Sequence, residues 1–308
     1  MSAGSEPAAD PRALHLVGIG GAGMSGLARL AHGAGHRVTG TDREPSAALD
    51  GLRAEGIDAR VGHSAQAVPP GVAALVVSTA VPAGNPEIAE ARRRGIPVLH
   101  RSQLLAELMA SRRGLAVAGA HGKSTTSAML LAALGDASAC IGATIPGGRG
   151  TGAVWGAGEW FVAEADESDR SLLNLAPEAA VLLNVDHDHH ATYASLDEVR
   201  EVFAAFVAAL PAEGCLVTGP DEDARSCAAA AACEVRAVGD VPGAWCRVRR
   251  DDDAGDGFTL EVADGRRVRV PLSVPGRHNA DNAAWALALD DWCGVPLDEA
   301  AARLAGFT

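Results

Sequence analysis

Residues 115–126, Leu-Ala-Val-Ala-Gly-Ala-His-Gly-Lys-Ser-Thr-Thr, hold the side chains best suited to phosphate chemistry. Glycines let backbone N–H groups approach phosphate oxygens, and a lysine after them reaches the β and γ positions. The hydroxyl of Ser124 is placed to ligate Mg²⁺, and a helix opening here favours an anion at its N-terminus. Val117 stands where the G-x-x-x-x-G-K-[ST] spacing wants its first glycine. The plain alternative is a strand–turn–helix corner with a solvated lysine. Downstream, Glu164-Ala165-Asp166-Glu167-Ser168-Asp169 is either a solvated loop or a Mg²⁺ site. The run Asp186-His187-Asp188-His189-His190 suggests zinc, but Mg²⁺–nucleotide chemistry is the simpler account beside a phosphate loop. His278, Asn279 and Asn282 either cap a helix or face a base or ribose.

A second glycine loop precedes these: Gly18-Ile19-Gly20-Gly21-Ala22-Gly23, with Asp42 about 20 residues on. In a β-α-β setting it implies a dinucleotide or another diphosphate ligand, without choosing between NAD and a UDP-sugar.

Strands must end where these groups begin. Leu14–Ile19, Arg37–Thr41 and Ala73–Ser78 read as strands, separated by helices near 24–34 and 47–55. Asn85-Pro86 opens a further helix, and Ser111–Gly114 separates the halves. Leu115–Ala118, Trp160–Ala165 and Ala179–Val185 are the apolar strands whose carboxyl ends carry the lysine, the acids and the histidines. Ser195-Leu-Asp-Glu198 is a capping box. Residues 245–250, 258–262 and 267–272 alternate like antiparallel strands around turns at 251–257 and 264–265. The fold class expected is α/β: a Rossmann-like N-terminal domain, then a P-loop-type central ATPase domain with a small antiparallel β addition. The expected limits are a disordered tail over 1–12 and domains over 13–112 and 113–308.

A net charge of −13 argues against nucleic acid as a partner, since phosphate backbones attract basic surfaces. The six cysteines lack C-x-x-C spacing, so free thiols in a cytoplasmic protein are expected rather than structural zinc. No apolar run is long enough for a membrane span.

Together the two loops and the segments downstream of them resemble the Mur ligases, in unbroken motif order from about Leu14 to Phe307. The resemblance rests on residues 18–27, Ser78-Thr79-Ala80 with Asn85-Pro86-Glu87, and residues 118–126, 162–171, 184–193 and 275–283. It implies that Gly20, Gly21, Ala22, Gly23, Met24 and Ser25, with Asp42 and Ser78, bind a UDP-sugar. It implies that Gly119, His121, Gly122, Lys123, Ser124 and Thr125 bind ATP, with His278, Asn279 and Asn282 at the adenosine. Lys123 would hold the γ-phosphate, Ser124 would ligate Mg²⁺, and Glu164 and His189 would ligate a second Mg²⁺; Lys123, Glu164 and His189 form the implied catalytic set. The implied reaction joins L-alanine to the lactyl carboxylate of UDP-N-acetylmuramate through an acyl phosphate, in peptidoglycan precursor synthesis. The family's C-terminal amino-acid-binding domain is expected to be absent, leaving that role to a separately encoded domain, with a homodimer as the other partner expectation. Departures from the family pattern fall at Ala120, Ala143, Gly152, Val154 and Ala191. They suggest as alternative a diverged or truncated relative that binds UDP-sugar or ATP without ligation, or joins a different acid and amine.

Overall fold

The computed structural model describes residues 10–142, 144–145, 152–250 and 257–307. The first nine residues of the expected tail, Ala143 and most of the turn expected at 251–257 lie outside them. Two compact units are present: residues up to Leu108 with Ala153–Trp155, and Met109–Gly152 with Gly156 onward.

A strand with parallel neighbours on both sides is covered on both faces, so its sequence is an apolar run rather than an alternation. β1 (Asp10–Val17) meets that condition, being buried throughout Ala13–Val17. The first unit continues through α1 (Ala22–Gly33), β2 (Arg37–Asp42), α2 (Ala47–Ala54), β3 (Asp58–Val61), β4 (Val72–Val77), α3 (Pro86–Arg93), β5 (Val98–His100) and α4 (Arg101–Ala110). Its sheet is parallel with order β3-β2-β1-β4-β5. The order reverses at β1, so the crevice beyond the carboxyl ends of β1 and β4 is where such a sheet receives a ligand. β1 starts inside the stretch expected to be a tail: Asp10 N donates to Gly71 O at 3.0 Å. Main-chain pairing needs no apolar side chain, so polar composition concealed the start of this strand.

The second unit opens with β6 (Arg113–Ala118) and α5 (Lys123–Leu134), followed by β7 (Ser138–Cys140). β8 (Ala153–Val154) groups with the first unit against α1. Then come β9 (Trp160–Glu164), β10 (Ala179–Leu182), α6 (Leu196–Ala208), β11 (Cys215–Thr218), α7 (Glu222–Ala228) and β12 (Glu234–Ala237). Within this unit the parallel order is β12-β11-β10-β6-β9-β7, with β6 between β10 and β9. The expected antiparallel addition is present as β13 (Cys246–Arg249), β14 (Phe258–Val262) and β15 (Arg267–Val270). α8 (Arg277–Trp292) and α9 (Leu297–Leu304) complete the described chain and pack on α5. Half of the expected capping box forms: Ser195 Oγ accepts from Glu198 N, whereas Glu198 Oε2 accepts from Ala194 N at 3.2 Å, one residue before the cap. Two strands carry no apolar signal. β7 is three small residues, and β12 presents Glu234 and Arg236 as an ion pair at 2.7 Å. Among the described residues no helix is long and apolar enough to cross a membrane, and the six cysteines are free thiols.

Candidate nucleotide and metal sites

In the second unit, β6 delivers the phosphate loop because its flanking strands lock it in register: Ala118 lies opposite Leu182 and Val117 opposite Glu164. The loop then turns tightly against the chain after β10. Gly119 has φ +135°, and a Cβ there would sit 3.0 Å from Leu183 Cβ. Gly122 caps α5 at φ +87°, and a Cβ there would sit 3.2 Å from Asn282 Oδ1. Both positions therefore require glycine. The N-cap of α5 is a glycine, which offers no side-chain cap, so the N–H groups of its first turn suit an anion. Asn184 clamps the loop at two points: it accepts from His121 N at 2.8 Å and donates to His121 O at 3.0 Å.

Two carboxylates lie against the start of α5, and they have different partners. Glu164, at the end of β9, accepts from Gly142 N at 2.8 Å and from the Ser124 hydroxyl. Burial raises its pKa above the ordinary carboxyl value, in spite of those two hydrogen bonds. Glu167 is 2% exposed. It accepts from Lys123 Nζ at 2.9 and 3.0 Å and lies 3.2 Å from His189 Nε2. Its main-chain carbonyl accepts from the Tyr193 hydroxyl, which anchors the turn. Lys123 Nζ also donates back to Gly119 O and Ala120 O, so the ammonium folds over its own loop.

Of the residues expected to hold ATP and metal, the structure therefore groups Ser124 with Glu164, and Lys123 with His189 through Glu167. The carboxylate beside His189 is that of Glu167, three residues beyond the glutamate expected there. Asn282 is buried against Gly122, whereas Asn279 donates to Pro275 O at 2.7 Å in its own turn, and His278 is exposed beside Gly276. Thr125 lies in the first turn of α5. His121 faces outward, with Nε2 3.3 Å from Asp188 and 3.8 Å from Asp186.

In the first unit, Gly21, Ala22, Gly23, Met24, Asp42 and Ser78 line one cavity of about 890 Å³. Gly20 lies behind it, its N–H donating to Asp42 Oδ2 at 2.8 Å. The Ser25 hydroxyl is turned back onto Ala22 O. α1, like α5, starts at a glycine with no side-chain cap. Sequence reasoning singled out neither His63 nor Arg101, which also line the cavity; both lie outside any glycine-loop spacing.

Residues 13–113 match the family described as Mur ligase family, catalytic domain, and residues 117–289 match the Mur ligase middle domain. The UDP-N-acetylmuramate–L-alanine ligase of Streptomyces coelicolor is 44% identical over 302 residues, covering 96% of this chain and 65% of the relative. The enzyme of the same name from Mycobacterium tuberculosis is 43% identical over 319 residues, covering 97% and 64%. The chain thus spans just under two thirds of the length of these curated relatives. Among solved structures, the UDP-N-acetylmuramate:L-alanyl-γ-D-glutamyl-meso-diaminopimelate ligase of Neisseria meningitides superposes with TM-score 0.86 at 28% identity, covering 96% of this chain and 98% of that one. The UDP-N-acetylmuramate–alanine ligase of Thermotoga maritima gives 0.79 at 27% identity, covering 96% and 68%. Two glycine loops on successive parallel sheets, matched in order by both domain patterns of one family, make this chain a member of the Mur ligases.

Proposed function

We propose that the chain is the nucleotide-handling portion of an ATP-dependent ligase that joins L-alanine to the lactyl carboxylate of UDP-N-acetylmuramate through an acyl phosphate. Residues 13–112 bind the UDP-sugar, with its diphosphate on the Gly20–Met24 loop, and residues 113–308 bind ATP. The observation that carries this reading is the uncapped start of α5, with Lys123 and two separately partnered glutamates beside it.

The donor set fits Mg²⁺. Ser124 and Glu164 offer hard oxygen ligands to one ion, and Glu167 with His189 can hold a second. The glycine cradle leaves room that a Cβ at Gly119 or Gly122 would fill. When bound, Mg²⁺ neutralises triphosphate charge that would otherwise repel the attacking carboxylate. The residues do the rest by position. Lys123 exchanges Glu167 for the γ-phosphate, and Glu167 is then free to face a cation with His189. Asn184 keeps the loop in place while the N–H groups of α5 receive phosphate oxygens.

Phosphate release from ATP, measured with UDP-N-acetylmuramate in the presence and absence of L-alanine, tests this directly. Alanine-dependent phosphate is expected; release indifferent to both substrates would sink the reading. His189→Ala is expected to raise the Mg²⁺ concentration for half-maximal turnover by on the order of tenfold or more. An unaltered Mg²⁺ titration would make His189 a surface residue.

A further inference from the structure

Glu87 anchors a buried hydrogen-bond network that ends at the cavity of the first unit. Its carboxylate is 0% exposed. It accepts from His15 Nε2 at 3.0 Å, from Thr41 Oγ1 at 2.8 Å and from His63 Nδ1 at 2.9 Å. Burial alone would raise the Glu87 pKa, but hydrogen bonds from His15, Thr41 and His63 outweigh it and hold the pKa below the ordinary value. A carboxylate only accepts, so each imidazole must carry its proton on the nitrogen that faces it. In His15 that nitrogen is Nε2, leaving Nδ1 to face Thr39 Oγ1 at 2.8 Å. In His63 it is Nδ1. The nitrogen left over, Nε2, has no hydrogen-bond partner in the described chain, and the ring lines the cavity.

We infer that His63, held by Glu87 with Nε2 as an acceptor, selects a hydrogen-bond donor on the nucleoside of the diphosphate ligand. The inference rests on the UDP-sugar reading of this unit. The sheet order supplies the direction. The glycine loop follows β1, Asp42 ends β2, and His63 follows β3, one strand further along the same carboxyl edge. With the diphosphate on the loop, a nucleoside laid over β2 reaches His63. A free imidazole exchanges tautomers and accepts or donates equally well. A fixed one discriminates between donors and acceptors, and N3 of uracil is a donor where N3 of cytosine is an acceptor. The ribose hydroxyls are the other donors within this chemistry.

Calorimetric titration with UDP, CDP and 2′,3′-dideoxy-UDP tests it. His63→Phe is expected to weaken UDP about five- to tenfold, the loss of one hydrogen bond. It is also expected to abolish discrimination against CDP if the imide is read, or against the dideoxy analogue if a hydroxyl is read. Glu87→Gln, whose amide can donate to Nδ1, is expected to lose the same discrimination. Since a substitution at a fully buried position can cost the fold, the tautomer is also read without one, from the two-bond ¹H–¹⁵N imidazole spectrum of the wild type. Nδ1–H is expected at His63. An Nε2–H tautomer there overturns the inference. So do unchanged analogue ratios in His63→Phe, with the diphosphate site left standing. Failure of the wild type to bind UDP at all would instead remove the diphosphate reading, and this inference with it.

Discussion

Replacing Lys123 with alanine should lower ATP turnover by about three orders of magnitude while the chain stays folded. Loss of a single preorganised electrostatic donor costs about 10²–10³ in rate. Lys123 is the only lysine in the sequence, so no neighbouring ammonium can take over. The structure adds a second effect. The ammonium makes two bonds to Glu167, whose side chain is 3% exposed, and its removal leaves that carboxylate, among the described residues, with the His189 ring. An unpaired buried charge is destabilising. The remaining imidazole contact limits the penalty to about 1–3 kcal/mol, which thermal unfolding would register. Adding Glu167→Gln to Lys123→Ala is expected to restore the melting temperature and not the turnover. Phosphate release at the wild-type rate in the single variant would remove the loop from the chemistry.

Asp290 should behave in the opposite sense, with its replacement by alanine stabilising the protein. It lies in α8, 0% exposed, and among the described residues neither carboxylate oxygen has a hydrogen-bond partner. Burial pushes its pKa well above the ordinary value, outweighing the nearby positive charge of Arg303, which pulls the other way. The folded chain therefore retains a proton that the unfolded chain has released above about pH 4. Where the native state binds more protons than the unfolded state, stability falls as pH rises. The penalty is absent below the unfolded pKa and grows as pH rises towards the folded one. Asp290→Ala, at a position flanked by the alanines and leucines of α8, is expected to gain about 1–3 kcal/mol in urea unfolding at pH 8. The gain should shrink towards zero near pH 4. A variant less stable than wild type at pH 8 would mean that the carboxyl group has a partner.

The parts of the site that sequence made legible are local in the chain. Gly119, Gly122, Lys123 and Ser124 lie within a few residues of one another, and the positive φ values that demand glycine are set by the turn itself. The helix cap at Ser195 is readable for the same reason. What stayed hidden depends on contacts between distant segments. Glu164 and Glu167 belong to one run of acids, from which the family resemblance picked Glu164 alone. The choice between them lies in the turn after β9, where Ser171 N closes on Asp169 Oδ1 and Tyr193, from a later loop, ties down the carbonyl of Glu167. That turn brings Glu167 to Lys123 and leaves Glu164 with Ser124. His63 carried no signal at all, because a histidine after a short strand is unremarkable until Glu87 is found beneath it. β7 was missed because its three residues are small, and β12 because an edge strand needs main-chain pairing more than apolar side chains.

The run of motifs gave the family by resemblance; composition and spacing alone determined the α/β class, the two glycine loops and the chain order of the strands that carry them. These follow from period, turn chemistry and short-range backbone geometry, which act over a few residues. The pairing of acids with lysine and histidine, the tautomer forced on His63 and the orphaned carboxyl of Asp290 were decided only in the folded molecule. Each depends on which groups are buried together after distant segments have met, 22 to 72 residues apart for the hydrogen-bonded groups, and desolvation, unlike helix or strand propensity, has no counterpart in the linear chain.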